Sequence, residues 1–345
     1  MPLTCLTIGD CHFRTSNVLA TNRMTATILM VAKQKKPDFI VMLGDTLDRH
    51  ETVNSLVLSR AVQFLRELSH IAPTYLIIGN HDRPNNSDYL SDDHPFTALH
   101  YWDNFFVVDK AHSTSISGKR FIFVPYVPPG RFHEALGTLP DDYHNAAAIF
   151  AHQEFRGAKM GAIESIEGDV WDPTDPYVVS GHVHDYDELQ SNLLYTGTPI
   201  QHAFGDKEDK TISFITFNDD GTRRHERIDL QLPKKRMIHL TCDQLLHLNP
   251  EVFNSDMEVK IVAKGTSAEI KTLMKMQIVK ALEERGVKIS YKEITEVTLL
   301  TPFLNAPGKG YYEKLSLAVS SDREILDLLT TMFGPLKIKV SGLGN

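Results

Sequence analysis

Five short clusters in this sequence bring together side chains that ligate divalent cations. They are Asp10-x-His12, Gly44-Asp45-x-x-Asp48, Gly79-Asn80-His81-Asp82, His152, and Gly181-His182-x-His184. Carboxylate, amide and imidazole are hard to borderline ligands, suited to Mn²⁺, Fe²⁺ or Zn²⁺ and not to a thiolate site. Residues i and i+2 of an extended segment point the same way, so Asp10 with His12, and His182 with His184, can each present two ligands. A glycine ahead of a ligand lets the backbone turn sharply and aims the next side chain into a cleft. Singly, each cluster also has a plain structural reading. Gly-Asp after a strand is a common turn, a lone His152 can be a satisfied core residue, and Asp48 can cap a loop. All five in one order, each directly after an apolar run, point to a metal centre.

The elements that must position these residues are legible around them. A β-rich run over 3–9 ends at Asp10, the run Phe39-Ile40-Val41-Met42-Leu43 ends at Gly44-Asp45, and a third over 74–78 ends at Gly79. Between them, apolar residues recur at helical spacing over 21–33 and 53–68. Alternating strand and helix is the pattern of a layered α/β domain, in which sites form at the C-terminal ends of strands. Apolar runs over 146–150 and 177–179 lead into His152 and Gly181-His182. Short strands fill 105–126, and antiparallel strands are expected over 186–196, 211–217 and 224–230, with Asp220-Gly221 as a turn. Pro233-Lys234-Lys235-Arg236 reads as a linker. Beyond it the pattern predicts strands over 237–240 and 258–263, a helix over 267–285 stopped by Gly286, and a strand over 287–294. A loop with Pro302, Pro307, Gly308 and Gly310, a helix over 322–332 and a strand over 336–340 complete the prediction. The expectation is two domains, 1–232 and 233–345, the second a small α+β unit.

The 345 residues carry 36 Lys and Arg against 44 Asp and Glu, a net charge of −8. That balance speaks against a protein that simply coats nucleic acid. The average hides an asymmetry: residues 1–232 hold 20 basic and 31 acidic side chains, and residues 233–345 hold 16 and 13. Fourteen of the 16 His lie in the first part, with the five clusters. Cys5, Cys11 and Cys242 provide neither a disulfide framework nor zinc-site spacing. There is no apolar run of roughly 20 residues and no basic, hydrophobic leader, so the expectation is a cytoplasmic protein with no membrane segment.

The ordered blocks D-x-H, G-D-x-x-D, G-N-H-D, a lone H and G-H-x-H resemble the calcineurin-like metallophosphoesterase superfamily. Within it the chain is most similar to the SbcD-type nuclease subunit of the double-strand-break repair complex. Tyr195-Thr196-Gly197-Thr198-Pro199 and Phe204-Gly205-Asp206 resemble later segments of that family, and 233–345 falls where its capping domain lies. The resemblance implies an α/β fold: a four-layer α-β-β-α metallophosphoesterase sandwich with a smaller C-terminal α+β capping domain. It implies one metal held by Asp10, His12, Asp45 and His184, and a second by Asp45, Asn80, His152 and His182, with Asp45 bridging. Two divalent ions, Mn²⁺ first and Mg²⁺, Fe²⁺ or Zn²⁺ as substitutes, would activate water for attack on phosphorus. His81 is expected to point away from the metals and to protonate the leaving oxygen. The Asp48 carboxylate would orient it and favour its charged form. Asp82 and Arg83 would bind substrate phosphate or brace their loop.

On this reading the chain is a Mn-dependent DNA exonuclease or endonuclease subunit that cleaves DNA ends in repair, recombination or replication. Its partners would be DNA, an SbcC-type coiled-coil ATPase and a second copy of itself. Lys234, Lys235 and Arg236 would grip DNA phosphates, helped by Lys260, Lys264, Lys271, Lys275, Lys280 and Lys288. Lys271 and Lys275 are expected on one helix face. The apolar face of Ala61, Val62, Phe64, Leu65 and Leu68, with Phe96, Leu99, Tyr101 and Trp102, would form a four-helix dimer contact or pack on the chain's own sheet. The hydrophobic segment with which such subunits dock on the ATPase is not evident after the expected cap, so either docking uses another surface or the partner is absent. The alternative is a metallophosphodiesterase for nucleotides or other small phosphoesters. A serine/threonine phosphatase is disfavoured, because His50 replaces the last glycine of G-D-x-x-D-R-G and Asp82 replaces a glutamate.

Overall fold

The computed structural model describes residues 2–50, 52–161, 163–253 and 257–294. In chain order the strands begin with β1 (Leu3–Ile8), β2 (Phe39–Met42), β3 (Thr74–Ile77), β4 (Phe105–Val108), β5 (His112–Ile116), β6 (Lys119–Val124), β7 (Ala148–Ala151), β8 (Lys159–Met160) and β9 (Ile163–Glu164). They continue with β10 (Val178–Ser180), β11 (Asp187–Gln190), β12 (Leu193–Tyr195), β13 (Ile212–Phe217), β14 (Arg223–Ile228), β15 (Lys234–Thr241), β16 (Met257–Gly265) and β17 (Lys288–Glu293). The helices are α1 (Val18–Lys35), α2 (Ser55–Ser69), α3 (Phe132–Leu136), α4 (Cys242–Leu246), α5 (Ser267–Leu273) and α6 (Gln277–Glu284). The loop, helix and strand expected beyond residue 300 lie outside the described residues. No described helix is long and apolar enough to cross a membrane.

Two six-stranded sheets stack face to face, in the orders β14-β13-β1-β2-β3-β4 and β11-β12-β10-β7-β6-β5. β1 to β4 are parallel, as are β6, β7, β10 and β12, so the ends of β1, β2, β3, β7 and β10 gather the five clusters. The period-two alternation of each strand feeds two cores. In β1, Leu3 and Cys5 face the layer between the sheets, and Leu6 and Ile8 face α1 and α2. Phe39, Phe121 and Phe150 meet between the sheets with ring centroids 5.1–6.0 Å apart and fix the sheet spacing. The outer face of the second sheet is covered by short α3 and by Phe155 and Trp171 from the loop after His152, so this fourth layer is thin.

Ala61, Phe64, Leu65 and Leu68 of α2 and the following Phe96 and Leu99 are buried in the chain's own core, whereas Tyr101 is exposed. That face lends no support to a helix-bundle dimer. The strand expected over 186–196 is instead a hairpin, β11-β12, broken at Ser191-Asn192 with a bulge between Glu188 and Gln190. Asn192 turns inward there and donates to the carbonyls of Asp172 and Asp175.

Among the described residues a third sheet, β15-β16-β17, is parallel and packs α4, α5 and α6 around its own core. The expected linker is not one, because β15 starts at Lys234 and pairs with β16 from that residue on. The helix expected over 267–285 is two, α5 and α6, parted at Met274–Met276. In one continuous helix Leu273 and Leu282, nine residues apart, would lie on opposite faces. The break resets the phase so that both are buried against the sheet. Lys275 falls in the break and therefore shares no helix face with Lys271.

Candidate metal centre

The centre forms where five strands end and the chain leaves them abruptly. His12, Asp45 and His182 all take left-handed backbone angles, with φ of 43°, 46° and 79°. Such conformations are costly for residues with side chains and persist where surroundings over-determine them. The i, i+2 argument from extended backbone therefore fails in detail. Asp10 and His12 do join one group, but His182 and His184 part into different ones. The glycines also act differently from expectation. Gly44 does turn at φ +98°, whereas Gly79 and Gly181 make room: a Cβ on Gly79 would sit 2.2 Å from Asp45 Oδ1, and one on Gly181 2.4 Å from the Leu43 carbonyl oxygen.

All seven expected ligands converge, six of them in two triads and Asn80 beside the second. Asp10, His12 and His184 form one, and Asp45, His152 and His182 the other, with the ligating atoms of each within 4.8 Å of one another. His12 Nε2 and His184 Nε2 face each other at 3.0 Å. Asn80 Oδ1 lies 3.0 Å from His152 Nε2 and 3.2 Å from His182 Nδ1, which adds a fourth donor to the second triad. Asp45 sits between the triads, with Oδ1 3.4 Å from His152 Nε2 and Oδ2 3.7 Å from His12 Nε2. Two backbone amides steady the carboxylates: His81 N–H donates to Asp45 Oδ1 at 2.9 Å, and His182 N–H to Asp10 Oδ2 at 3.0 Å. Lone pairs that converge this closely repel unless protons or cations lie between them. The oxygen and nitrogen donors fit hard to borderline divalent ions.

The electrostatics of these groups differ. Burial pushes the Asp10 carboxyl upward, with Asp45 adding to the push and His152 opposing it. At Asp45 burial is outweighed by the imidazoles of His152, His12 and His81, which hold the carboxyl below the usual carboxylate range. Burial also works against charge on His152, but Asp45 and Asp10 raise it to about 9. His12 and His184 are pushed down by burial, so near neutral pH their rings keep lone pairs for a cation.

The remaining expected site residues are placed differently. His81 does not point away: its Nε2 lies 4.0 Å from Asp45 Oδ2. Its Nδ1 lies 2.9 Å from the carbonyl oxygen of Asp48, not from the carboxylate. The Asp48 carboxylate instead meets Arg14 at 3.2 Å and His12 Nδ1 at 3.7 Å. Arg83 is fully buried and donates to the carbonyls of Asp88, Tyr126 and Asp109, so it braces its loop and is unavailable to substrate. Asp82 likewise takes the amides of Thr46, Leu47 and Gly79. Lys234, Lys235 and Arg236 pair with Asp229, Glu258 and Glu208, and none of the three touches the triads.

Sequence reading missed three neighbours of the centre. His202 Nε2 meets the carbonyl oxygen of Asp10 at 3.0 Å, and its ring packs on His12 and His184. Its position between the Tyr195–Pro199 and Phe204–Asp206 segments was the available signal. Glu154 lies 3.8 Å from His182 Nε2, and its signal was the i+2 spacing from His152. Arg14 links Asp48 to the carbonyl of His202. A separate group, His94, His100 and Asp109, also has ligand chemistry. However, Phe96 N–H donates to His94 Nδ1 at 3.2 Å, so the neutral ring carries its proton on Nε2, facing Asp109 at 3.4 Å. A metal on Nε2 would set two N–H donors against each other at Nδ1, so this group is a polar brace.

The family profile described as calcineurin-like phosphoesterase matches residues 3–186. Two viral proteins with provisional names are similar over most of their length. Phosphoesterase 078R of Invertebrate iridescent virus 3 is 38% identical over 294 residues, covering 84% of this chain and 84% of that protein. Phosphoesterase 244L of Invertebrate iridescent virus 6 is 39% identical over 280 residues, covering 79% of this chain and 98% of that protein. The profile spans all five clusters, from Asp10 to His184, and the chain belongs to the calcineurin-like phosphoesterase family.

Proposed function

We propose that this phosphoesterase is a nuclease, cutting DNA phosphodiester bonds with two divalent ions, Mn²⁺ foremost. The observation that carries the reading is a cleft of about 500 Å³ beside the centre, walled by the sandwich on one side and the third sheet on the other. Arg14, Arg23, Lys235 and Lys288 line it, against one carboxylate, Glu258. Four cations lining one cleft suit a chain of phosphates more than a single small ester. Arg14 and Lys235 are already paired, with Asp48 and Glu258, so DNA must compete for them.

In this proposal Asp10, His12, Asp45 and His184 hold one ion, and Asp45, Asn80, His152 and His182 the other. Bound there, the ions would supply positive charge to the phosphate oxygens and ease ionisation of the attacking water. His81 is the proton donor to the leaving oxygen: the Asp48 carbonyl holds Nδ1, and Nε2 faces the centre. The SbcC-type ATPase, the homodimer and a place with DNA in the cytoplasm are proposed on the resemblance alone.

The test is purified full-length protein with Mn²⁺, given end-labelled duplex and hairpin DNA beside bis-p-nitrophenyl phosphate. Cleavage of DNA is expected, and Lys288→Ala should weaken it more than ester hydrolysis. Ester hydrolysis with DNA left intact would favour the second reading, a phosphodiesterase for nucleotides or other small phosphoesters.

A further inference from the structure

Each triad contains an imidazole whose outer nitrogen faces a carboxylate that no motif of the sequence assigns to it. His182 turns Nδ1 inward, toward Asn80 and His152, and its Nε2 faces Glu154 Oε2 at 3.8 Å. The Ser165 hydroxyl donates to the other oxygen of Glu154 and so fixes that carboxylate. His12 turns Nε2 inward, toward His184 and Asp45. Its buried Nδ1 has no hydrogen-bond partner, and Asp48 Oδ1 stands 3.7 Å away, held by Arg14. His152 already has its outer acceptor, the Leu43 carbonyl, 2.7 Å from Nδ1.

A neutral imidazole carries one N–H and one lone pair, so the partner of one nitrogen decides what the other can do. An outer carboxylate holds the N–H outward and the lone pair inward, and it sets the plane of the ring. The two separations must close by about 1 Å to become hydrogen bonds. Glu154 and Asp48 side chains are 16% and 21% exposed, which leaves them room to do so.

We propose that Glu154 and Asp48 are positioning residues, one for each metal position: Glu154 sets His182 for the Asp45–His152–His182 group, and Asp48 sets His12 for the Asp10–His12–His184 group. The proposal rests on the two-metal reading above. It moves Asp48 from His81, where the sequence pattern put it, to His12.

Calorimetric titration of the metal-free full chain with MnCl₂ tests it without any assay of turnover. The wild type should bind two ions. Glu154→Ala should weaken one of them by roughly 10–100-fold and leave the other, and Asp48→Ala should do the reverse. In a His184→Ala background, where only the second group is complete, Glu154→Ala should still weaken the remaining ion and Asp48→Ala should not. Glu154→Gln keeps an acceptor oxygen and should retain most of the affinity, an outcome that a space-filling role would not give. Should Glu154→Ala fail to fold, Glu154→Leu carries the same expectation. Fewer than two ions in the wild type would sink the two-metal reading and this assignment with it. Two ions in the wild type, with both or neither weakened by Glu154→Ala, would overturn the assignment alone.

Discussion

The two triads share Asp45 as a neighbour but differ in what holds them. The Asp45–His152–His182 group is secured inside the sandwich, by the Leu43 carbonyl and the His81 amide. The Asp10–His12–His184 group leans on the loop around His202, whose ring lies 4.9 Å from His12 and 5.7 Å from His184. That loop is itself tied to the third sheet: Gln201 exchanges two hydrogen bonds with the backbone of Lys235. One half of the centre thus belongs to the sandwich, and the other half feels how the C-terminal sheet is docked.

Asp45→Ala should have the largest effect, because it touches both halves. Both ions should be lost and turnover should fall by at least about 10⁴-fold. Retention of one tightly bound Mn²⁺ in calorimetry would break the claim that Asp45 serves both groups. His81→Ala should cost roughly 10²–10⁴-fold in turnover while both ions still bind. Loss of an ion in that variant would move His81 into one of the triads.

Gly44→Ala separates the halves. Its Cβ would lie 2.4 Å from His152 Nδ1, at a backbone angle that disfavours any side chain. The second group should weaken, with a stability loss of about 1–3 kcal/mol, while the ion of the Asp10 group stays. Equal weakening of both ions in titration would show the halves to be one unit.

The smallest effect is expected at Asp109, which lies in neither triad. Burial pushes its carboxyl up, but His94 and His100 outweigh it and bring it to about 2. The folded value lies below the unfolded one, so the stabilisation is present above about pH 4 and is lost as pH falls from about 4 through 2. Asp109→Asn should therefore cost roughly 1–2 kcal/mol at neutral pH and less on acidification, with both ions still bound. A melting difference that stays constant down to pH 3 would show that charge is not its cause.

Much of the centre was legible in the sequence. Each ligand block follows an apolar run, and the end of such a run in a parallel sheet is a place of convergence. The errors have one pattern. Arg83 looks like a phosphate ligand until Tyr126 and Asp109, far along the chain, take its N–H groups. Lys234, Lys235 and Arg236 look like a free basic linker until strand pairing with β16 and three acids claim them. Gly79 and Gly181 look like hinges, and only the crowding of Asp45, Leu43 and Asp10 shows them to be gaps.

By itself the sequence determined the donor types, their order along the chain and their position at strand ends, because hydrophobic period and ligand chemistry are local properties. Only the tertiary structure decided which nitrogen of each histidine faces inward, which carboxylate stands behind it and which basic residues stay open to a substrate. Those depend on meetings such as His12 with His184, 172 positions apart, and no local spacing specifies such a contact.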